Sequence, residues 1–355
     1  MATGAYKTGG PKQGLGTGAG VSEREDLTNL ISMISRDDTP FLSSIGKTKA
    51  KAILHEWQTD QLRAPAANIR AEGVDFDDIS ETTQFRTRLG NYTQIFGDTL
   101  SVSNTKQKVD QAGVKDEFKY QIKKIGTEIR RDQEFTVVHS WQEKSGTDPR
   151  TMGGVHSYAT DALVWDAVSN VFCDSASSPF NGVFDGNGTF GQAADSALAE
   201  VTIGLNDIDE IQQKVYEEGG KSTRVMVSPK NRRAISAAAQ LAGSGNVQRN
   251  IDDSGKLRQS VDLYESDFGE VWVVANWIMG LTSTDAIGPM VTGDDAQDFS
   301  AICYDPMWFN WVTLRPMQEV DVGPKGDSTV GMLIEEGSLE VKNPSGFGLI
   351  IGIGA

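Results

Sequence analysis

From Lys51 to Val102 the chain gives about fifty residues to two strand-like stretches joined by a segment with nothing to bury. KAILHEWQTD, Lys51 to Asp60, reads as a strand, and FRTRLGNYTQIFGDTLSV, Phe85 to Val102, as one longer strand or a strand pair rich in Thr and aromatic residues. Between them RAPAANIRAEGVDFDDISET, Arg63 to Thr82, carries Pro, Gly and clustered acids without a core-facing pattern. At about 3.3 Å of rise per residue, the stretch from Lys51 to Arg63 reaches roughly 40 Å. A two-stranded ribbon alone is marginal in water. The tract therefore either folds back over its own domain or takes support from outside, most simply from another subunit.

The stretch that follows is the most regular in the chain. In DEFKYQIKKIGTEIRRDQEF, Asp116 to Phe135, the apolar residues Phe118, Ile122, Ile125 and Ile129 recur at spacings of four, three and four, one face of a helix. No proline occurs from Lys106 to Gln142, and Val114, Phe135 and Val138 lie near the same stripe. The pattern predicts a helix of about 29 residues from Val114, about 43 Å long. That is long for a globular domain. Its middle turns, KYQIKKIGTEIRRD, hold five cations against two acids. Gly126 costs about 1 kcal/mol relative to Ala inside a helix, so it marks close packing or a bend. The stripe is not kept over three or four heptads, which argues against a coiled coil.

The totals run against that local basic charge. Lys and Arg number 33 against 49 Asp and Glu, a net charge of −16, the opposite of the basic stripe of a nucleic-acid binder. Contact with DNA is expected to be weak or indirect. The two cysteines, Cys173 and Cys303, lack metal-ligand spacing, and no charged-then-apolar leader opens the chain. Synthesis in a reducing cytoplasm, without a disulfide framework, is the expectation. The longest apolar runs, such as VWVVANWIMG, fall short of the roughly 20 residues a bilayer span needs, so a soluble protein is expected.

Elsewhere strand and helix signals mix without regular alternation. Residues 1 to 20 are dominated by glycine and small residues and read as a flexible arm. Ser22 and Glu25 fit a capping box for a short helix bearing Leu27, Leu30, Ile31 and Ile34, ended by Thr39-Pro40. From Lys144 to about Gln192 the chain is Gly-, Ser- and Asp-rich, with brief apolar pieces such as ALVWDAV. A helix is expected from Asn206 to Glu217, stopped by Gly219-Gly220, then a buried strand from Thr223 to Val227 and an Ala-rich helix from Ser228-Pro229 to about Ala242. VDLYES and GEVWVVAN read as strands, and the last fifty residues as an antiparallel sheet. The fold class is α+β.

Motifs for chemistry are sparse. GNGTFG, Gly186 to Gly191, has the form of a dinucleotide fingerprint, but it lacks the preceding strand and following apolar helix that would hold a pyrophosphate, and it reads as a loop. His55, His139 and His156 stand in no metal-ligand or zinc-protease spacing and read as structural. Ser228 lacks a nucleophile elbow and reads as a helix cap. Asp75, Asp77 and Asp78 lack the Gly and terminal Glu of a calcium loop and read as a solvated acidic turn. No catalytic, cofactor-binding or metal residue is assigned. A long ribbon, a long charged helix and a mixed body suit assembly better than catalysis.

A series of motifs carries a resemblance. It comprises DDTPFLSSIGKTKA at Asp37 to Ala50, HEWQTDQL at His55 to Leu62, AEGVD at Ala71 to Asp75, VSNTKQKVDQAGVKDEFKYQIKKIGTEIRRDQE at Val102 to Glu134, and MVSPKNRRAIS at Met226 to Ser236. In this order, over about 200 residues, the chain resembles the major capsid proteins of tailed bacteriophages with the Hong Kong 97-like fold. The resemblance implies an N-terminal arm at 1–46, an extended β-hairpin loop at 47–103 laid over a neighbouring subunit, a peripheral domain with a long spine helix at 104–205, an axial domain at 206–300, and return strands to the peripheral domain at 301–355. It implies a non-enzymatic protein of the phage head, assembled in the host cytoplasm as hexamers and pentamers of an icosahedral shell around double-stranded DNA. The implied partners are further copies of the chain, a portal protein at one vertex, a separate scaffolding protein and a decoration protein, with no membrane. On this reading Trp57, Arg63, Arg70, Glu72, Asp75, Asp77, Arg130 and Arg131 lie at subunit interfaces, the two helix arginines meeting acids of a ribbon or arm. Phe118, Ile122, Ile125 and Ile129 form the spine-helix core. The alternatives are an encapsulin-like compartment and, behind it, a soluble α+β enzyme.

Overall fold

A computed structural model of the chain describes residues 35–69, 72–73, 86–109, 114, 116–139, 142–178, 180, 182–190, 201–242, 262–281, 300–324 and 326–353. Within them two sheets and a separate ribbon are built. The four-stranded sheet runs β1 (Gly46–Lys49), β11 (Phe309–Pro324), β12 (Ser328–Val341) and β4 (Gln94–Ser103), with only the β1–β11 pair parallel. The seven-stranded mixed sheet runs β6 (Val171–Phe172), β5 (Val164–Asp166), β13 (Gly348–Ile351), β10 (Ser300–Tyr304), β7 (Arg224–Val227), β9 (Gly269–Ala275) and β8 (Leu263–Ser266). The ribbon pairs β2 (Leu54–Thr59) with β3 (Thr87–Tyr92). Its second half is thus a strand pair: β3 stays in the ribbon and β4 joins the four-stranded sheet.

Two cores follow from strands buried on both faces. On β7, Met226 points into a core spanning both sheets, while Val225 and Val227 point into a second core on the far face. That far core lies under α4 (Leu205–Glu217) and α5 (Pro229–Ala242), whose Ile208, Ile211 and Ile235 meet Val271, Val273 and Ile350. Asp207 ties α4 down, accepting from Gly204 N–H at 2.8 Å and Trp165 Nε1–H at 3.1 Å. Ser228 caps α5 by accepting from Asn231 N–H at 3.3 Å, as its position at the helix start predicts.

The long helix, α3, follows the short α2 (Asn104–Lys108) and spans Glu117–Val138, 22 residues rather than the 29 expected from Val114. Asp116 starts it by accepting from Lys119 N–H at 3.1 Å, and beyond His139 the chain turns so that Val155 N–H bonds to Val137 O. An apolar stripe reports a face, whereas caps and turns set the ends. The stripe lies on β4 and β12: Ile125 and Ile129 are buried, and Phe118 and Ile122 are half-buried against the same core. Gly331 of β12 leaves the space that the Phe118 ring fills.

Two further expectations are corrected. Pro40 does not end a helix; it opens α1 (Pro40–Ser44) at a first-turn position where its missing N–H costs nothing. The helix expected from Ser22 lies outside the described residues. The Gly- and Asp-rich segment after Lys144 contributes Val155, Tyr158, Phe180 and Val183 to the core between the sheets. It is held by links such as Asp161, whose carboxylate accepts from Gly182 N–H at 2.7 Å and Phe184 N–H at 2.8 Å. The last fifty residues do not form one antiparallel sheet. β11 and β12 pair with each other, whereas β10 and β13 pair in the other sheet. The seven-stranded sheet therefore draws on 104–205, 206–300 and 301–355 together.

Candidate subunit interface

The ribbon has a fixed base and an open tip. At the base Asn91 is fully buried: its Nδ2–H donates to Gly153 O at 3.1 Å and Leu339 O at 2.8 Å, and its Oδ1 accepts from Gly153 N–H at 2.9 Å. Tyr158 O–H donates to Gly90 O at 2.9 Å, and its ring lies 5.9 Å from that of Trp57. Trp57 is half-buried on its own chain, because Tyr158 offers an aromatic surface under the ribbon. Beyond Thr59 that support ends. Leu62 is 98% and Ile69 90% exposed, and Arg63 and Glu72 are exposed with them. Arg70, Asp75 and Asp77 lie outside the described residues. The fold-back reading thus fits the base, whereas the described residues from Asp60 to Ile69 are exposed.

The two helix arginines engage their own chain. Arg130 Nη2 lies 3.6 Å from Oε2 of Glu335, a buried acid of β12, and Nη1 donates to Gln133 at 3.1 Å. Within its own chain Arg130 thus has Glu335 as its acid, because the Arg130 face of α3 lies on β12. Arg131 places its guanidinium 4.8 Å above the Trp277 ring. It forms one wall of a cleft of about 350 Å³ lined by Asp98, Glu128, Arg131, Asp132, Phe135, Trp277, Ile278 and Leu281. Partial removal from water raises the Asp132 carboxyl above its usual range, opposed by Arg131 and reinforced by Glu128 and Asp98. Half of its lining is apolar, and the charged half sets three acids against one arginine.

Buried carboxylates organise the interior and were not anticipated. Glu134 accepts from Phe41 N–H and Leu42 N–H at 2.8 Å each and from Asn276 Nδ2–H at 2.7 Å, so a side chain of α3 caps α1. Burial pushes its pKa up to about 7, against the pull of those three donors toward the ionised form. Glu336 takes Arg150 Nη2–H at 2.9 Å, Arg315 Nε–H at 2.8 Å and Thr93 O–H at 2.8 Å. Gln133 falls where the apolar stripe of α3 continues, but Glu134 lies about 140° around the helix from Ile129, so the stripe carried no signal for it.

No constellation for catalysis comes together among the described residues. No group of three His, Cys, Asp or Glu there has metal-site geometry. His156 Nε2 pairs with Ser300 Oγ at 2.8 Å in the interior, and burial pushes the Cys173 thiol up to about 12. Within GNGTFG, Gly186 and Gly188 hold positive φ, and Gly188 O accepts from Lys144 N–H at 2.9 Å, so this loop braces the chain after α3.

Comparison with known proteins agrees with this geometry. A family model described as SU10 major capsid protein matches residues 6–354. A curated major capsid protein of Escherichia phage Phieco32 is 24% identical over 347 residues, covering 91% of this chain and 92% of that protein. In fold, the chain is similar to the capsid structure of Cyanophage P-SCSP1u, with a TM-score of 0.56 at 9% identity over 95% of this chain and 94% of that one. It is also similar to a holo encapsulin complex from Synechococcus elongatus PCC 7942, with a TM-score of 0.54 at 8% identity over 93% and 92%. Fold likeness alone does not separate the two kinds of shell; the family match does.

Proposed function

We propose how this protein works from one premise: the chain belongs to the SU10 major capsid protein family. It is a major capsid protein, a component of the phage head. Its copies group into hexamers and pentamers of an icosahedral shell around double-stranded DNA. Its work is structural, not catalytic. The observation that carries this reading is the ribbon, locked to its own chain at Asn91 and Trp57 and bare at Leu62 and Ile69. Large apolar side chains so exposed on an extension are contact groups awaiting a surface. The surface supplied by a shell is a neighbouring copy, and residues 47–103 lie across it.

The net charge of −16 supports a wall that does not clamp its contents, since a basic lining would hold DNA through many phosphate contacts. A portal protein occupies one vertex, a separate scaffolding protein guides assembly, and a decoration protein finds its place on the closed surface. The encapsulin-like reading shares the fold and differs in cargo. Negative-stain microscopy of the expressed chain, alone and with its scaffolding protein, tests the reading. Closed shells of uniform diameter are expected. A chain that stays monomeric under every condition overturns it, and shells purified with an enzyme cargo instead of DNA favour the compartment.

A further inference from the structure

Charge is divided around one edge of the seven-stranded sheet. From Asp262 to Glu270 the sequence DLYESDFGE, which forms β8, its turn and the start of β9, holds four acids and no cation. α5 holds Lys230, Arg232 and Arg233 and no acid, on a chain of net charge −16. Residues 243–261 add three cations against two acids, which does not cancel them. One pair closes within the chain, Arg232 Nη2 with Asp262. The remaining charge faces outward on opposite sides of the sheet. Strand alternation puts Val271 and Val273 under α5, so Glu270 and Trp272 point to the other face, where the register sets Glu265 across from Glu270 and Leu263 across from Trp272. There Trp272 is 53% and Leu263 43% exposed, and both glutamates are exposed beside them. Two carboxylates directly across a strand pair repel each other, and an exposed tryptophan is the kind of group that anchors an interface. Arg224, across from Trp272 on β7, is the half-buried cation of that face and lies against Tyr304. On the far side Lys230, Arg233 and Ala237, at spacings of three and four, form the exposed stripe of α5. Among the described residues none of Lys230, Arg233, Glu265 and Glu270 has an ion-pair partner.

We infer that the Trp272 face of one copy meets the α5 stripe of the next, with Glu265 and Glu270 set against Lys230 and Arg233 and the Trp272 ring lying over the small side chain of Ala237. The inference rests on the shell reading and deepens it by naming two faces through which copies meet. They lie on opposite sides of one sheet, so the contact is heterologous: each copy gives one face and receives the other, as a closed ring requires. A second copy is the occupant because the complementary charge stands on the same chain.

Charge reversal with rescue tests it. Lys230→Glu with Arg233→Glu, and Glu265→Lys with Glu270→Lys, should each lower shell yield roughly tenfold, and the chain carrying all four should recover it, since the pairing returns with its signs exchanged. Urea unfolding of the lone subunit is read alongside and should not move. A thiol cross-link gives a second readout that alters no charge. Native Cys173 and Cys303 are fully buried, so introduced thiols dominate the reaction. Trp272→Cys and Ala237→Cys are made in separate chains, co-assembled and treated with a short bis-maleimide. A covalent dimer is expected from the mixture and from neither variant alone, and a ladder of multimers from the double variant. Shells with no 237–272 product, or a fourfold variant no better than its parents while the subunit stays folded, overturn the contact and leave the shell reading intact. Absence of shells from the unaltered chain overturns the shell reading first.

Discussion

Glu134 accepts the backbone N–H of Phe41 at 2.8 Å, so a carboxylate in the last turns of α3 caps a helix whose sequence lies 93 residues earlier. The second oxygen does the same for Leu42, and Asn276 completes the set. A carboxylate at a helix N-terminus meets orphan amides and the positive end of the dipole. Here it does so in the interior with no salt-bridge partner among the described residues, and burial wins over the donors.

The pH dependence follows with a definite sign. Burial raises the folded-state value of Glu134 to about 7, from 4.5 for the free side chain. Between those values the folded chain binds a proton that the unfolded chain has lost, so this group's contribution is fully present below about pH 4.5 and declines as pH rises through 7. The span corresponds to about 3 kcal/mol at most. Urea unfolding of the isolated subunit from pH 5 to 8 is expected to show this decline, and Glu134→Gln to flatten it. Parallel profiles for the two proteins rule the assignment out.

Ile125 is 6% exposed under the stripe of α3. Its truncation to Ala removes buried volume between the helix and the four-stranded sheet, at a cost of about 2–5 kcal/mol. Thermal or urea unfolding reads this directly, and a loss below 1 kcal/mol contradicts the packing.

Two glycines in the same interface are expected to respond oppositely to one added methyl. A Cβ on Gly126 meets Leu333 at 3.5 Å and Met317 at 3.6 Å, ordinary contacts, so Gly126→Ala should stabilise by about 1 kcal/mol through helix propensity. A Cβ on Gly331 comes within 2.7 Å of the Phe118 ring, so Gly331→Ala should destabilise. Melting temperatures that move in the same direction refute the geometry.

Arg130 supplies a cation to a buried acid, so its reversal should act on the subunit itself. Arg130→Glu sets a second carboxylate against Glu335, and with the Arg130 side chain 38% exposed the cost is about 1–3 kcal/mol. Arg63→Glu, at the open tip, should leave the same unfolding curve unchanged. Equal stability for both variants would mean that the Arg130–Glu335 pair contributes nothing.

Those outcomes separate what local sequence encodes from what only the fold reveals. α4 and α5 fall within about a residue of their expected limits because their signals are local: the stop at Gly219-Gly220 and the Ser228-Pro229 start. The face of α3 was legible for the same reason. Its ends were not, since Asp116 competes with Val114 as the start and the Val155–Val137 bond turns the chain at the other end. The segment after Lys144 was unreadable because its order comes from pairings such as Asp161 with Phe184, which leave no periodicity. Arg130 and Arg131 were legible as charge on a helix, but their partners, Glu335 and Trp277, are set by topology.

The ribbon allows the sharpest division, because its two ends answer to different chains. At the base, Trp57 lies on Tyr158 beside the Asn91 bonds, so Trp57→Ala should cost the lone subunit about 2–3 kcal/mol, less than a fully buried tryptophan. At the tip, Arg63 and its described neighbours touch little of their own chain, so deleting residues 63–82 and joining the ends with a short Gly-Ser turn should leave the unfolding curve in place. The same deletion should abolish stable shells, since the exposed leucine and arginine then have no way to reach a neighbour. Sedimentation reads assembly and urea titration reads the subunit, on the same two proteins. Loss of subunit stability on deleting the tip would return the whole ribbon to its own domain, and normal shells from that variant would remove it from assembly.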